Sequence, residues 1–571
     1  MRFLRINMGS QEVLWQEIDP LYIDLGGRGL TSTLINKEVP PDCDPLGREN
    51  KLIFAPGLLT GTPLANTARV SVGAKSPLTR GIKESNAGGT FPLALSRAGI
   101  AALIIEGTPE NKGPFVLYIG SQGVRLEEGT ALAGMRTYAL VRELFKKYGR
   151  DLAIMCIGPA GELELKCASI QSVDMDGRPC RAAGRGGLGA VMGAKGLKAI
   201  VIEKDGQGGP ELSDLEAFKE ASKLFAGLLK KNPFTGQMLP EMGTACLVSA
   251  VNNLGAFPSY NAKKGVLEEW EKISGEHMAE VIKNRGGKPT HMGCSQCIIR
   301  CSNEYVDPDG RYVTASLEYE TIWAMGGMLG IDDLDTIARL DFLADDIGLD
   351  TMSTGVAMAV AMDAGYREFG DREAAIQMIE EIPKGTKLGK ALGNGPEETG
   401  SYFGHNRVPT VKGQSIAAYD PRAMQGNGVT YATSPMGADH TAGNLIGQYL
   451  SGNLDPLSTE GQVEASRRAQ VSVAALDSIG LCLLAGGAMF SPEGGEAMVR
   501  MLSIRLGKEL EWEDVMALGR RVLRAEREFN RKAGFTSAHD RLPEMFLKEP
   551  LPPHNKVFMI RDQELDKTFD F

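Results

Sequence analysis

The chain has 571 residues, of which 62 are Lys or Arg and 72 are Asp or Glu, giving a formal net charge of −10. This acidic balance, without a long basic run, argues against nucleic acid or an anionic membrane as the main partner. The length is sufficient for several domains or a few large ones. The 70 glycines indicate many tight turns and close approaches of the backbone to a ligand.

The N-terminal residues contain no apolar signal-peptide core. The longest apolar stretch, 471–490, contains Asp477 and several glycines, which favours a buried helix and turn over a membrane span. Nine cysteines without an export signal predict free thiols rather than a disulfide framework. We therefore expect a cytoplasmic protein in a reducing compartment, with no membrane span.

The first 200 residues carry short apolar runs bounded by Gly, Pro or Asn, a pattern typical of strands. A hairpin is predicted at 2–7 and 12–18, and further strands near 51–55, 69–73, 101–106, 115–119, 152–157 and 198–203. A polar linker at 205–213 precedes helical periodicity at 215–230 and 268–283, and helices dominate after about residue 330. We expect an α+β protein with a β-rich N-terminal domain, 1–205, followed by two mainly helical domains, 206–408 and 409–571.

Two helix ends share the pattern Asp-x-Ile-Gly-Leu, at Asp345–Leu349 and Asp477–Leu481. In each, the glycine (Gly348 or Gly480) is expected to end the helix in a left-handed cap. Two equivalent carboxylates indicate a pair of equivalent ligand groups, because a carboxylate can accept two parallel N–H bonds. The alternative is a chance similarity between two common helix-end sequences.

A compact cysteine motif, C-x2-C-x3-C, is formed by Cys294, Cys297 and Cys301. Thiolates at this spacing suit an iron–sulfur cluster or a structural zinc ion. The candidates for a fourth ligand are Cys482 and His291. Cys482 follows the second Asp motif, a position that favours a cluster used for electron transfer. Four other cysteines are interpreted as small buried hydrophobic residues, namely Cys43, Cys156, Cys167 and Cys246.

The segment 181–189 contains G-x-G-x-x-G. A dinucleotide-binding fingerprint needs a strand before this motif and a helix after it. Here a turn precedes the motif, and we expect a strand soon after it, so a dinucleotide site is weakly supported. Exposed backbone N–H groups with Arg181 and Arg185 suit phosphate, with a tight structural turn as the alternative. A second such segment is 84–89, preceded by Arg69 and Lys75.

In this order, the motifs resemble the tungsten-dependent aldehyde:ferredoxin oxidoreductase family along nearly the whole chain. The matching pieces are Ser76-Pro-Leu-Thr79, Gly158-Pro-Ala-Gly-Glu162, 181–187, the cysteine motif, Glu318-Tyr-Glu320, Tyr419-Asp-Pro-Arg422 and both Asp motifs. The resemblance implies the catalytic subunit of an oxidoreductase of anaerobic metabolism that converts aldehydes to carboxylic acids. It also implies a tungsten bis-pterin, with molybdenum as an alternative metal, one [4Fe–4S] cluster, and Mg²⁺ bridging the pterin phosphates.

The resemblance assigns residues to each cofactor at matching positions. The cluster ligands would be Cys294, Cys297, Cys301 and Cys482. The β-rich domain would bind pterin, with the phosphate region lined by Arg69, Asn86, Gly88, Arg181, Ala182, Gly184 and Arg185. One pterin would be held by Asp345, Leu349 and Asp350, and the other by Asp477, Leu481 and Leu483. Glu320 would act as general base or proton relay, and His440 would polarise the carbonyl oxygen.

Two departures from the family pattern change what the resemblance implies, one for a pterin contact and one for the partner subunit. Ala442 replaces a lysine that contacts pterin in some members. Arg339 and Phe342 replace the Glu-x-x-His that binds iron between subunits in others. We therefore expect pairing with a small iron–sulfur subunit, with a homodimer as the alternative, and electron transfer to that subunit or to ferredoxin. Alternative functions are a low-potential reductase of carboxylic acids or thioesters, and a zinc-stabilised nucleotide-binding protein.

Overall fold

The computed structural model describes residues 1–111 and 113–571. Its first 204 residues form two six-stranded mixed sheets. The strands of the first are β1 (Arg2–Asn7), β2 (Glu12–Gln16), β3 (Leu52–Pro56), β4 (Val70–Lys75), β5 (Ile82–Ala87) and β6 (Ile100–Glu106). The strands of the second are β7 (Phe115–Gly120), β8 (Gly123–Glu128), β9 (Leu152–Cys156), β10 (Ile170–Ser172), β11 (Arg181–Ala183) and β12 (Leu197–Glu203). The helices of this region are α1 (Gly27–Glu38), α2 (Phe91–Arg97), α3 (Thr137–Tyr148), α4 (Pro159–Glu162) and α5 (Leu188–Ala194).

The two sheets repeat one topology. The first has the order β2-β1-β6-β3-β4-β5, and the second, read from its far edge, has the order β8-β7-β12-β9-β10-β11. In both, one pair is parallel (β1 with β6, β7 with β12) and the other four are antiparallel. The two sheets thus share one strand order and one pattern of strand directions. The edge strands β5 and β11 lie next to each other, so the segments that follow them meet at one place.

The remainder is mostly helical. The helices are α6 (Leu215–Lys231), α7 (Leu239–Met242), α8 (Leu247–Asn253), α9 (Gly275–Asn284), α10 (Tyr319–Met325), α11 (Leu334–Ile347), α12 (Thr351–Asp363), α13 (Arg372–Glu381), α14 (Lys387–Gly393), α15 (Pro396–Phe403), α16 (Gln425–Thr433), α17 (Ile446–Leu450), α18 (Gln462–Ile479), α19 (Gly486–Met489), α20 (Pro492–Leu506), α21 (Trp512–Lys532), α22 (Glu544–Lys548) and α23 (Asp562–Leu565). Its strands are β13 (Lys288–His291), β14 (Ser302–Val306), β15 (Tyr312–Ala315), β16 (Thr410–Val411) and β17 (Gln414–Ser415). The predicted α+β class, β-rich first and then mainly helical, is confirmed; the domain boundaries at 205 and 408 remain predictions.

The longest helix of the C-terminal region, α21, packs on α1, the first helix of the N-terminal region. Glu526 of α21 is fully buried, and its two oxygens accept from Arg28 Nε at 2.8 Å and Arg28 Nη2 at 2.9 Å. Ser32 Oγ donates to the same carboxylate at 2.8 Å. A buried, bidentate pair of this kind fixes α1 against α21, because either charge alone would be costly to bury.

A helix needs about 20 consecutive apolar residues to cross a membrane. Among the described residues, no single helix is both long and apolar enough to span one. Helix α18 and the segment Leu483–Met489 together have the length and composition of a membrane span, but the two are bent by 116° relative to each other.

Candidate functional site: four cysteines, two glycine-rich segments and a Glu–His pair

The cysteine motif lies in the loop between β13 and β14, and Cys482 directly follows the end of α18. Asn66 joins these segments, since its carbonyl accepts from Cys482 N at 2.8 Å and its Nδ2 contacts Cys297 Sγ at 3.4 Å. Burial raises the pKa of Cys297 to about 11, and the neighbouring Cys294 and Cys482 add to that shift. The structure therefore brings the distant Cys482 to the three-cysteine motif.

His291, the other candidate for the fourth ligand, is used elsewhere. Its Nε2 lies 2.9 Å from Asp176 Oδ2 and its Nδ1 lies 3.1 Å from Ser302 Oγ. Among the described residues, Asp174, Asp176 and His291 form a group whose ligand atoms lie within 4.8 Å of one another, whereas the cysteines form no such group. Arg178 Nη1 already lies 3.7 Å from the Asp176 oxygen, so this acidic group has its own cation.

The cysteine spacing bears on the choice between zinc and a cluster. A single tetrahedral zinc ion with Zn–S bonds of about 2.3 Å would hold its sulfur atoms roughly 3.8 Å apart. Sulfur atoms that do not gather within 4.8 Å fit a larger inorganic core better. The other five cysteines are all buried, as predicted for four of them, and Cys180 Sγ lies 3.4 Å from Asp174 Oδ2.

The two glycine-rich segments begin within the adjacent edge strands β5 and β11, and one residue of each, Gly88 and Arg181, approaches Cys294. A Cβ on Gly88 would lie 2.4 Å from Cys294 Sγ and 2.8 Å from Arg69 Nη1, so only glycine allows this approach. Arg69 Nε donates to Asn86 Oδ1 at 2.6 Å. Arg181 Nη1 pairs with Glu318 at 2.8 Å, and its Nη2 lies 3.8 Å from Cys294 Sγ. Burial alone would raise the pKa of Cys294, but these two guanidinium groups outweigh it and lower that pKa.

The glycine-rich loop itself corrects one expectation. A short strand, β11 (residues 181–183), rather than only a turn, lies directly before Gly184, and the seven-residue helix α5 comes between the loop and the expected strand, β12. Gly186 and Gly187 take positive φ values of 86° and 74°, which L-residues with a side chain rarely adopt. Ala182 is paired with Gln171 in the sheet, and a Cβ on Gly184 would meet only Ala182, at 4.0 Å, so space remains beside the loop.

The two Asp-x-Ile-Gly-Leu segments have matching backbones. Gly348 and Gly480 end α11 and α18 with φ values of 81° and 87°, as predicted. Each rests against a glycine that follows a central strand: Gly158 after β9 and Gly57 after β3. The repeated sheet topology therefore presents both helix ends in the same way.

The carboxylates of these segments differ in their neighbours. Arg28 Nη1 contacts Asp477 Oδ2 at 3.3 Å, yet burial and the nearby Glu84 raise the pKa of Asp477 to about 8. Burial and Asp341 raise the pKa of Asp345 well above its usual range. Leu349 and Leu481 are buried, whereas Leu483 is 37% exposed.

Glu320 and His440 lie in contact with each other. Glu320, in the first turn of α10, accepts a bond from Ala418 N at 3.0 Å through Oε2, and its Oε1 lies 3.3 Å from His440 Nε2. Burial raises the pKa of Glu320 to about 8 and lowers the pKa of His440 to about 4. Near pH 7 both groups are therefore mostly uncharged, and the contact is between a carboxylic acid and a neutral imidazole.

Several buried polar atoms around this pair have no hydrogen-bond partner. They are Glu320 Oε1, His440 Nδ1, Arg185 Nε and Asp350 Oδ2. Arg185 Nε is 3.6 Å from Asp350 Oδ2, while the rest of its guanidinium donates to Ala438 O and Ser415. Because buried polar groups are normally satisfied, this set fits a bound polar group with both donors and acceptors, as a pterin has.

Sequence reasoning missed several residues that shape this site. Lys83 and Asp439 form a buried ion pair at 2.8 Å beside His440, and Arg28 supports Asp477. Asp439 could have been found from its position next to His440, but Lys83 and Arg28 have no local signal, because their partners are more than 350 residues away.

Comparison with known proteins agrees with this arrangement. The family model "Aldehyde ferredoxin oxidoreductase, N-terminal domain" matches residues 3–204, and "Aldehyde ferredoxin oxidoreductase, domains 2 & 3" matches residues 220–570. The chain is 36% identical to tungsten-containing aldehyde ferredoxin oxidoreductases of Pyrococcus furiosus (588 residues) and Thermococcus kodakarensis (590 residues). Both alignments cover 99% of this chain and 94% of the relative.

One solved structure shares the fold. The active site complex BamBC of benzoyl coenzyme A reductase superposes with a TM-score of 0.80 at 20% identity, covering 100% of this chain and 94% of that one. Fold, site and relatives define an oxidoreductase. More closely, the chain belongs to the tungsten-containing aldehyde ferredoxin oxidoreductase family.

Proposed function

We propose that this protein oxidises aldehydes to carboxylic acids with a tungsten bis-pterin and passes the electrons through a [4Fe–4S] cluster to ferredoxin or a small iron–sulfur subunit. The observation that carries the proposal is the contact of Glu320 with His440 among buried, unpartnered polar atoms. Family membership supports the tungsten–pterin group, and the convergence of four cysteines supports the cluster.

The overall reaction sets what the protein must do. An aldehyde and one water give a carboxylic acid, two protons and two electrons. The bound tungsten–pterin group supplies the two-electron acceptor and a Lewis acid. The chain must therefore orient the aldehyde, take a proton from water and let protons leave.

Glu320 and His440 divide these tasks. Ionised Glu320 takes a proton from the attacking water through Oε1, the oxygen that has no hydrogen-bond partner. Ala418 N holds the other oxygen in place. Neutral His440 donates through Nε2 to the carbonyl oxygen, increasing the positive character of its carbon. Glu320 Oε1 and His440 Nε2 lie 3.3 Å apart, so the two groups can act on the water and the carbonyl oxygen of one bound aldehyde.

The surrounding residues would hold the cofactors. Cys294, Cys297, Cys301 and Cys482 would bind the cluster, whose irons take thiolate ligands. The phosphate region would be lined by Arg69, Asn86, Gly88, Arg181, Ala182, Gly184 and Arg185, and Mg²⁺ bound there would neutralise phosphate charge. The pterins would contact Asp345, Leu349 and Asp350 on one side and Asp477, Leu481 and Leu483 on the other.

Pairing with a second subunit is proposed from the lost iron ligands. Arg339 and Phe342 stack on each other at 5.4 Å, and neither can bind iron as glutamate or histidine would. A small iron–sulfur subunit is therefore proposed as the partner, and a homodimer is the alternative outcome.

The test is anaerobic purification from the native host, metal analysis and an assay with acetaldehyde and a viologen dye. About one tungsten and four irons per chain, a co-purifying small subunit and dye reduction would support the proposal. Reduction of a carboxylate or thioester by a low-potential donor, without aldehyde oxidation, would favour the reductase. Zinc alone would exclude both.

A further inference from the structure

The loop that carries His440 is held by the residue immediately before it. Asp439 is 5% exposed, and its Oδ1 accepts from Thr441 N at 3.0 Å and Thr441 Oγ1 at 2.7 Å. Its Oδ2 lies 2.8 Å from Lys83 Nζ and 3.3 Å from Gln414 Nε2. Both oxygens are thus fixed, one within the loop and one against other parts of the chain.

Lys83 reaches this carboxylate from the first sheet. It belongs to β5, is 1% exposed, and its side chain passes over the glycine-rich loop. A Cβ on Gly186 would lie 2.5 Å from Lys83 Cγ, so the glycine leaves the room that the lysine needs. A lysine buried this deeply is costly unless its ammonium is paired or hydrogen-bonded, and Asp439 supplies that pairing.

His440 sits beside this ion pair without bonding to it. Its Nδ1 is 4.0 Å from Asp439 Oδ1 and has no hydrogen-bond partner, while Nε2 points to Glu320. If Lys83 did not hold Asp439, a small rotation would let that carboxylate accept a bond from Nδ1.

We propose that Lys83 and Asp439 are positioning residues for His440, holding its imidazole with Nε2 toward Glu320 and preventing it from pairing with Asp439. The proposal rests on the function proposed above for the Glu–His pair. The two residues touch neither substrate nor cofactor in this role and act only through His440.

The charges around His440 agree with this role. Charged and titratable groups face it from every neighbouring element: Glu320 from α10, Asp439 from its own loop, Lys83 from β5, Arg185 after β11, and Tyr419, whose ring lies 6.1 Å away. Burial lowers the pKa of His440 most; Asp439 raises it, and Arg185 and Lys83 lower it. Without Lys83, the remaining carboxylate would therefore shift this pKa upward.

The first test is kinetic. Lys83→Met, Asp439→Asn and the double variant are compared as holoenzymes, with acetaldehyde and a viologen dye, over a range of pH. Asparagine keeps an acceptor for Thr441, and the double variant leaves no unpaired buried charge. We expect the double variant to keep wild-type tungsten and pterin content and to lose at least tenfold in kcat with little change in KM. Wild-type kcat throughout the pH range would show that the pair serves only folding.

A matched control is Lys195→Met. Lys195 is fully buried in the same domain, but its ammonium donates to Gly47 O and Asn50 O, away from His440. It should lower thermal stability without moving the kcat–pH profile. An equal loss of kcat in this variant would overturn the proposal, because any buried lysine would then have the same effect.

The second test needs no turnover. The chain has six histidines, so isotope labelling of histidine alone, with His440→Gln for assignment, allows the ring of His440 to be followed by NMR. We expect the midpoint of the His440 titration to lie higher in Lys83→Met than in the wild type, because the remaining carboxylate of Asp439 favours the charged imidazole. Identical behaviour in both proteins would overturn the proposal even if the substrate is not an aldehyde, whereas a wild type that fails to oxidise aldehydes would overturn only the proposed function.

Discussion

Gly57 and Gly480 pack backbone against backbone, so closely that a Cβ on Gly57 would lie 2.1 Å from the Cα of Gly480. The contact joins the end of a central strand in the first sheet to the left-handed turn that precedes Cys482. Two further bonds fix the junction, from Leu58 N to Ser478 O at 3.1 Å and from Leu59 N to Ile479 O at 3.0 Å. Asp477 and Cys482 flank this turn, so its position sets both.

Gly57→Ala should therefore displace the turn and reduce retention of tungsten, pterin and iron. The added methyl group meets backbone rather than a flexible side chain, so the clash cannot be relieved locally. Metal analysis and the midpoint of thermal unfolding measure the effect. Gly447→Ala is the control, because a Cβ there meets nothing within 4 Å. Equal cofactor content in both variants would contradict the prediction.

Glu320→Gln should lower kcat by roughly 10²-fold or more, as expected for the loss of a general base. Glutamine keeps the shape and an acceptor for Ala418 N, so cofactor content should remain at the wild-type level. The expected result is this lowered kcat together with unchanged metal content. An unchanged kcat would remove Glu320 from the mechanism.

The pH dependence follows from the same residue. Burial raises the pKa of Glu320 to about 8, and a base acts in its ionised form. Turnover should therefore rise as the pH passes through about 8 and level off above it, by roughly tenfold from pH 7. His440, with a pKa of about 4, stays neutral over this range. A flat profile from pH 6 to 9 would be inconsistent with this assignment.

Cys482→Ala should lower the iron content and abolish electron transfer to a dye, because one thiolate of the cluster would be lost. Cys246→Ala is a suitable control: this thiol is buried, packs in a hydrophobic cluster, is not among the proposed ligands, and has a pKa that burial raises to about 12. Iron analysis and the visible absorption of the cluster distinguish the two. Full iron occupancy in Cys482→Ala would exclude the proposed ligand.

Asp477→Ala should reduce pterin and tungsten content while leaving the chain folded. Arg28 would keep its bidentate bond with Glu526, so no buried charge is left unpaired. Asp477→Asn, which retains an acceptor oxygen, should give an intermediate loss. Pterin released by oxidation is measured by fluorescence; normal content and activity in Asp477→Ala would discredit the role.

Local patterns were enough to predict much of the fold. The hairpin formed by β1 and β2 matches the prediction closely, and so do α6 and the left-handed glycines at 348 and 480. The predicted helix at 268–283 is instead a short turn of helix at 270–273 and then α9, because Ser274 accepts from His277 N and starts a new helix. Helix α5, which lies between the glycine-rich loop and the predicted strand β12, is not predicted, since seven residues are too few to show a helical period.

Features that depend on contacts between distant residues could not be predicted from local sequence patterns. The repeated sheet topology was not predicted, because corresponding strands differ in length and composition: β4 has six residues and β10 has three. The resemblance pointed to Glu320 and His440, but the ion pair of Lys83 with Asp439 depends on packing between distant parts of the chain.

The bond between Arg28 and Glu526 determines how the polypeptide can be divided. The first 204 residues taken alone would expose the face of α1 that packs on α21 and would lose the carboxylate that pairs with Arg28, and the remainder would lose the partner of Glu526. Separately produced halves should thus be poor folding units, yet cleavage in the polar stretch 205–213 should leave two pieces that stay associated and complement each other.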